Sequence, residues 1–400
     1  MGESTVLTPA GPPAAEHAAS EGQTPRAFPY RCWVEVSRAQ IAANFLAIRK
    51  LVGPDVEVMP VVKADAYRHG AVEVSRALQA NGARWLAVSN TEEGVALRDA
   101  GISARILVMA DFLPYTRETL LAYELTPVIH SLEDIAYLDR LAAACRKRCR
   151  YHLKVDTGMS RLGVRADAAA IGEAILAARN IELEGLMTHF ASAANYQSGQ
   201  TEEQIAAFNL LAEGLAQAGI RPALLHLSST IPVAYARRAA WGGMVRPGHA
   251  IYGYVSPVRG HAHGKMLDVK PALTWRATVL SVKDVPAGAL IGYGGTFRAP
   301  QPMRVAVLAA GYADGIPHRL SNKGSVIAHG KLAPIVGAVS MDMTSVDVSQ
   351  SPEVMVGDAV TLLGTEGKAR MDAQQIARLA GTISYSVLCG IHARVKRLYV

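Results

Sequence analysis

Eight short apolar runs, most followed by a stretch of helical periodicity, constrain this chain more than any other feature of its sequence. They cover residues 56–63, 85–89, 105–110, 125–130, 151–156, 183–189, 223–228 and 243–246. Helical patterns lie between several of them, at 71–80, 91–100, 132–144, 166–178 and 202–218. Strand and helix in alternation specify a parallel sheet with crossovers, and eight strands are the count of a (β/α)8 barrel. A strand near 32–36 and a helix at 39–52 precede the barrel.

The pattern changes after about residue 265. Runs at 272–282, 303–309, 324–329, 335–341 and 359–363 read as β-strands separated by glycine, proline and polar turns. The expected fold class is therefore α/β, a TIM-like (β/α)8 barrel followed by a mostly β C-terminal domain. The expected divisions are a disordered tail at 1–28, the barrel at 29–262 and the β-rich domain at 263–400. The tail is rich in Ala, Pro, Glu, Ser and Gly and lacks the apolar core of a signal peptide.

Composition narrows the function. Half the residues are hydrophobic and 19% are charged, as expected of a soluble chain with a large core. No apolar run is long enough to span a membrane. The net charge of +7 is scattered. Its densest cluster, Arg146-Lys147-Arg148-Cys149-Arg150, lies at a helix end and reads as a solvated face, not a nucleic-acid patch. Cys145 and Cys149 could share a helix face, but no histidine accompanies them at zinc-ligand spacing. The four cysteines are expected to be reduced, in a cytoplasmic protein.

Chemistry in such barrels gathers at the carboxyl ends of the strands, with phosphate often held after strands seven and eight. Lys63 ends the first run. Lys154 and Arg161 flank the end of the fifth, and His189 ends the sixth. Ser229-Thr230 follows the seventh, and Arg246-Pro247-Gly248-His249 ends the eighth. A lone lysine at a strand end is ordinarily a snorkelling side chain. So many polar groups on one face, with a hydroxyl and a glycine turn where phosphate is expected, are not ordinary.

At these positions the chain resembles the alanine racemase family. The resemblance is carried by Val62-Lys63-Ala64-Asp65-Ala66-Tyr67, by the run from Lys154-Val155-Asp156-Thr157-Gly158-Met159 to Arg161-Leu162-Gly163, and by Thr188-His189-Phe190. Arg246-Pro247-Gly248, Tyr252-Gly253, Gly292-Tyr293-Gly294, Gly311-Tyr312-Ala313-Asp314-Gly315 and Ser340-Met341-Asp342 follow in the family's order. The resemblance implies pyridoxal 5'-phosphate as cofactor, tethered to Lys63 as a Schiff base. It implies that Tyr67, Thr230, Tyr385 and the backbone N–H groups of Gly248 and His249 hold the phosphate. It places His189 against the cofactor ring and Arg246 at the ring nitrogen. Lys63 and Tyr293 become the two bases, with Tyr293 supplied by the partner of a homodimer. Arg161 orients the substrate carboxylate, while Tyr312 and Met341 line the substrate pocket. The family often carbamylates the lysine matching Lys154. No nucleic acid and no membrane are expected as partners.

Several positions depart from the family's pattern. Asp65 stands for Asn, Arg68 for Gly, Ser229-Thr230 for Asn-Ser, Ser340 for Cys, and Ile316-Pro317-His318 for an aromatic-Pro-Arg run. Alanine is the expected substrate, and its product would supply D-alanine for peptidoglycan precursors. Serine, or a broader range of amino acids, is the alternative. A non-catalytic cofactor-binding barrel would lack the β domain and Tyr293. A related decarboxylase would carry an acid where Arg246 stands.

Overall fold

The computed structural model describes residues 30–262 and 264–400. The tail expected at 1–28 lies outside the described residues. Six parallel strands run side by side: Trp85–Val88, Arg105–Val108, Thr126–Ile129, Cys149–Lys154, Ile181–Met187 and Leu224–His226. Glu57–Val58 pairs in parallel with Met244–Val245. A parallel bridge between Val61 and Ala87 and an antiparallel one between His226 and Gly242 close the eight strands into one ring. Every residue of Trp85–Val88 and of Thr126–Ile129 is buried. A parallel strand covered on both faces needs such continuous apolar character.

The helices begin where short polar side chains cap them. Ser37, Asn90, Ser131 and Asp167 each accept a backbone N–H of the first turn that follows. Helix Arg38–Val52 buries Ile41, Phe45, Ile48 and Val52, the spacing of one helical face. The helix Leu132–Ala144 stops before Cys145, and Cys149 opens a strand, so the two cysteines do not share a helix face. All four cysteines are unpaired. No group of His, Cys, Asp and Glu among the described residues could hold a metal. Among them, no helix is long and apolar enough to cross a membrane.

Beyond the barrel lies one nine-stranded sheet. Its longest strand, Leu273–Val285, pairs with Met303–Leu308, Ala359–Glu366 and Cys32–Val36. Cys32–Val36 therefore belongs to this sheet, between Leu273–Val285 and the parallel strand Lys396–Tyr399. The strand expected at 335–341 is absent. Strands form on either side of it, at Lys331–Pro334 and Thr344–Asp347. Gly337 has φ +81°, and a Cβ there would stand 2.7 Å from the Ile291 carbonyl oxygen. The apolar run is thus a loop packed against the segment that carries Tyr293, which its residue types alone do not distinguish from a strand.

Candidate active site

Lys63 emerges at the carboxyl end of the first barrel strand. Five consecutive non-glycine residues follow it in the left-handed region: Ala64, Asp65, Ala66 and Tyr67 at φ +53° and Arg68 at +65°. Left-handed backbone costs an L-residue roughly 1–2 kcal/mol, so such a run persists only where its surroundings impose it. The impositions are visible. Glu93 accepts the Ala64 N–H at 2.6 Å and the Ser89 N–H at 2.7 Å. Asp65 accepts the Ala71 N–H at 2.8 Å. Arg397 donates to the Arg68 carbonyl at 3.1 Å. A Cβ on Gly70 would collide with the Tyr399 hydroxyl. The last strand of the β sheet therefore braces the turn that presents Lys63. Glu93 escapes sequence reading because it sits in an ordinary helix first turn.

Tyr67, at the end of this turn, is buried beside Tyr252 and Tyr385, with ring centroids 4.6 and 5.9 Å away. Burial pushes its phenol well above the usual range. Opposite it, a Cβ on Gly248 would lie 2.5 Å from the Tyr67 hydroxyl. Only glycine permits that approach. Thr230 Oγ1 accepts the N–H groups of Gly248 and Ala250, both at 3.2 Å. His249 stacks on Tyr385 at 3.8 Å, and burial holds its imidazole down to about 3. Tyr67, Thr230, Gly248, His249 and Tyr385 thus lie close together, the Gly248 N–H being taken by Thr230 Oγ1.

Arg246 lies behind this group and is 2% exposed. No carboxylate among the described residues pairs with it. Nη1 donates to His226 Nδ1 at 2.8 Å and to the His226 carbonyl at 2.7 Å. Nη2 donates to the carbonyls of Thr188 at 2.7 Å and Leu227 at 3.1 Å, and stands 3.5 Å from His189 Nδ1. Nε has no partner among the described residues. Burial lowers Arg246 to about 9, so it remains a cation at neutral pH. His189 is pushed down to about 3, first by burial and then by Arg246. His226, the acceptor that holds the guanidinium, was not singled out from the sequence. Its signal was available, since it ends the seventh strand.

Lys154 and Arg161 complete the barrel group. Lys154 is 5% exposed. Burial, then Arg161 and Arg246, push it down to about 8. Arg161 stands on an exposed loop folded around Asp156, whose Oδ1 accepts the N–H groups of Gly158, Met159 and Ser160 at 2.9–3.1 Å. Tyr293, Tyr312 and Met341 are elsewhere. They lie on the β-rich part and are 78%, 42% and 54% exposed. Tyr312 and Ala313 donate their N–H groups to the carbonyls of Ser340 and Met341. Within one chain, no hydrogen bond or ring contact among the described residues joins these three to the barrel group.

The arrangement matches known proteins along nearly its whole length. Residues 36–257 match the family described as alanine racemase, N-terminal domain, and residues 272–399 match alanine racemase, C-terminal domain. The alanine racemase of Halothermothrix orenii is 40% identical over 368 residues, covering 92% of this chain and 96% of that one. The structure of alanine racemase from Clostridium difficile 630 superposes with a TM-score of 0.87 at 30% identity, covering 93% of this chain and 96% of that one. The structure from Bartonella henselae, which carries covalently bound pyridoxal phosphate, superposes with a TM-score of 0.82 at 28% identity over 93% of this chain and all of that one. With both domains matched in order over nearly the whole length, this chain belongs to the alanine racemase family.

Proposed function

We propose that this chain interconverts L- and D-alanine with pyridoxal 5'-phosphate, using Lys63 and Tyr293 as its two bases. The observation that carries this reading is Arg246, a buried cation held by carbonyls and an imidazole, with no acid paired to it among the described residues. A guanidinium donates and does not give up its proton. Its open Nε suits a ring nitrogen that stays unprotonated, which an acid at this position would not provide.

The residues fit the phosphate end as well. The gap that a Cβ on Gly248 would fill lies between that backbone and the Tyr67 hydroxyl, with Thr230 and Tyr385 alongside. When bound, the cofactor delocalises the charge left at the substrate's α-carbon. Lys63 takes or returns the α-proton on one face. Tyr293 of the partner subunit does so on the other, and His189 and Arg246 set the electrostatics between them. Two bases on opposite faces are what inversion requires. The exposure of Tyr293, together with Leu290, Tyr312, Met341 and Met343, supports a homodimer, since apolar surface gathered in one place marks an interface. Lys154 is the group to accept carbon dioxide. Its lowered basicity makes neutral amine available, and a carbamate there would offer Arg161 an anion.

Alanine is favoured over serine by Ser340. Its hydroxyl donates to the Met343 carbonyl at 2.8 Å and accepts the Met343 N–H at 3.2 Å. Its single proton is thus committed internally and is not available to a substrate hydroxyl. We place the enzyme in the cytoplasm, supplying D-alanine for peptidoglycan precursors. The unpaired cysteines support that compartment. Chiral chromatography with L-alanine, L-serine, L-lysine and L-arginine in separate reactions tests the reading. D-alanine approaching a one-to-one ratio, lost in Lys63→Ala together with the absorbance of bound cofactor, is the expected result. Racemisation retained by Lys63→Ala would overturn it.

A further inference from the structure

A polar chain runs behind Arg246 through the depth of the barrel. His226, which accepts from Arg246, has its Nε2 2.9 Å from His152 Nδ1. His152 Nε2 lies 3.5 Å from Glu184 Oε2. Arg105 grips both Glu184 oxygens, at 2.5 and 2.6 Å, from the opposite end of the barrel to Lys63. Arg105 itself lies over the Trp85 ring at 3.9 Å. Both histidines are fully buried.

The ends of this chain dictate the protons between them. A guanidinium only donates, so His226 Nδ1 must be bare and Nε2 must carry the proton. His226 then donates to His152 Nδ1, which leaves the His152 proton on Nε2. That proton faces Glu184, which only accepts. His152 Nε2 is without a hydrogen-bond partner among the described residues, so Glu184 acts on that proton as a charge 3.5 Å away. Burial alone would raise the Glu184 carboxyl, but His152 and Arg105 outweigh it and hold it down to about 2, so it stays an acceptor.

The strand is shaped to aim Glu184 at this chain. Tyr151 pairs with Leu183 while the next residue, His152, pairs with Gly185. Glu184 is thus the extra residue of a β-bulge, a device that re-aims a side chain. Gly185 then leaves room for the ring, because a Cβ there would stand 2.5 Å from His152 Nδ1.

We propose that Glu184 is a positioning residue for Arg246, acting from the far end of the barrel by holding the Nε2–H side of His152 and, through the His152–His226 contact, the imidazole on which the guanidinium rests. Its effect on turnover rests on the ring-nitrogen role proposed for Arg246, whereas its effect on the histidines does not. The test is ¹⁵N NMR of the ring nitrogens in histidine-labelled, cofactor-free protein at neutral pH, assigned with His152→Gln and His226→Gln. In the wild type, both rings should be neutral with the proton on Nε2. In Glu184→Gln the charge facing the His152 proton is lost while Arg246 still holds His226 in its Nε2–H form, so the His152 ring resonances should shift while both rings keep the proton on Nε2. The kcat of the cofactor-loaded variant should fall by about tenfold, on the order of one hydrogen bond, with KM within about twofold. Glu184→Asp, which keeps the charge, should restore the wild-type ring spectra and most of the kcat. A wild-type spectrum showing His226 as imidazolium or with Nδ1–H would overturn the proposal, and it requires no variant to fold. Unchanged ring spectra in Glu184→Gln would also overturn it, whatever happens to stability. Altered ring spectra with unchanged kcat would uphold the proton order and overturn the role given to Arg246.

Discussion

Lys154→Met should stabilise the cofactor-free protein at neutral pH and lose that advantage as pH rises. Lys154 ends the strand Cys149–Lys154, is 5% exposed, and makes no ion pair among the described residues. Arg161, Arg246 and Lys63 all disfavour its charge, and Asp156 alone favours it. Burial and these cations bring it from 10.5 to about 8. Below pH 8 the folded chain therefore carries a poorly solvated ammonium. Between about 8 and 10.5 the unfolded chain holds a proton that the folded chain has released, so stability rises with pH across that window. At 1.36 kcal/mol per pH unit the displacement corresponds to roughly 3 kcal/mol. Arg161 beside it is exposed and solvent screens the cluster, so about 1–3 kcal/mol is expected. Urea unfolding in buffer free of carbon dioxide should show the methionine variant more stable by that amount at neutral pH, with the gap closing near pH 10. Added bicarbonate should stabilise the wild type alone, because a carbamate would reverse the charge beside Arg161. Equal stabilities at neutral pH, or a gap that widens with pH, would refute the reasoning.

Other expectations follow from the same geometry. Tyr293→Phe should retain cofactor, measured by its absorbance, yet lose orders of magnitude in racemisation rate, and unequally in the two directions. Gly248→Ala sets a Cβ 2.5 Å from the Tyr67 hydroxyl, so cofactor affinity measured by titration should fall at least tenfold, through a clash of about 1–3 kcal/mol. Unchanged affinity would show that Tyr67 moves aside freely. Arg68→Gly places at φ +65° the residue that tolerates it best, and should raise the thermal midpoint by a few degrees, on the order of 1 kcal/mol. A lower midpoint would mean that the arginine side chain contributes more than its backbone costs.

Much of the barrel group was legible because it depends on short-range pattern. Strand ends follow from where apolar runs stop. Lys63, Lys154, His189, Thr230 and Arg246 all occupy such ends, so the fold class brings them to one face. Tyr293, Tyr312 and Met341 could not be assembled that way. They stand apart from the barrel in a single chain, and only the family resemblance tied them to it. Glu93 and Glu184 were not legible as site residues, since one is a common helix-start acid and the other a charge in a strand. Their significance lies in which N–H or imidazole they meet.

The alternation of apolar runs and helical stretches by itself determined the eight-stranded ring, because side-chain periodicity is a local property that burial then enforces. The change of pattern near residue 265 likewise determined a mostly β second part. Tertiary structure alone decided the rest. Cys32–Val36 joins the distant sheet because its two backbone edges are paired by Leu273–Val285 and Lys396–Tyr399, and no local pattern names a partner hundreds of residues away. The run at 335–341 is a loop because Gly337 and the Ile291 backbone fix its path. The left-handed turn after Lys63 opposes every local preference of its residues. It exists because Glu93, Arg397 and Tyr399 converge on it from other elements, which is how a strained backbone comes to hold a lysine in place.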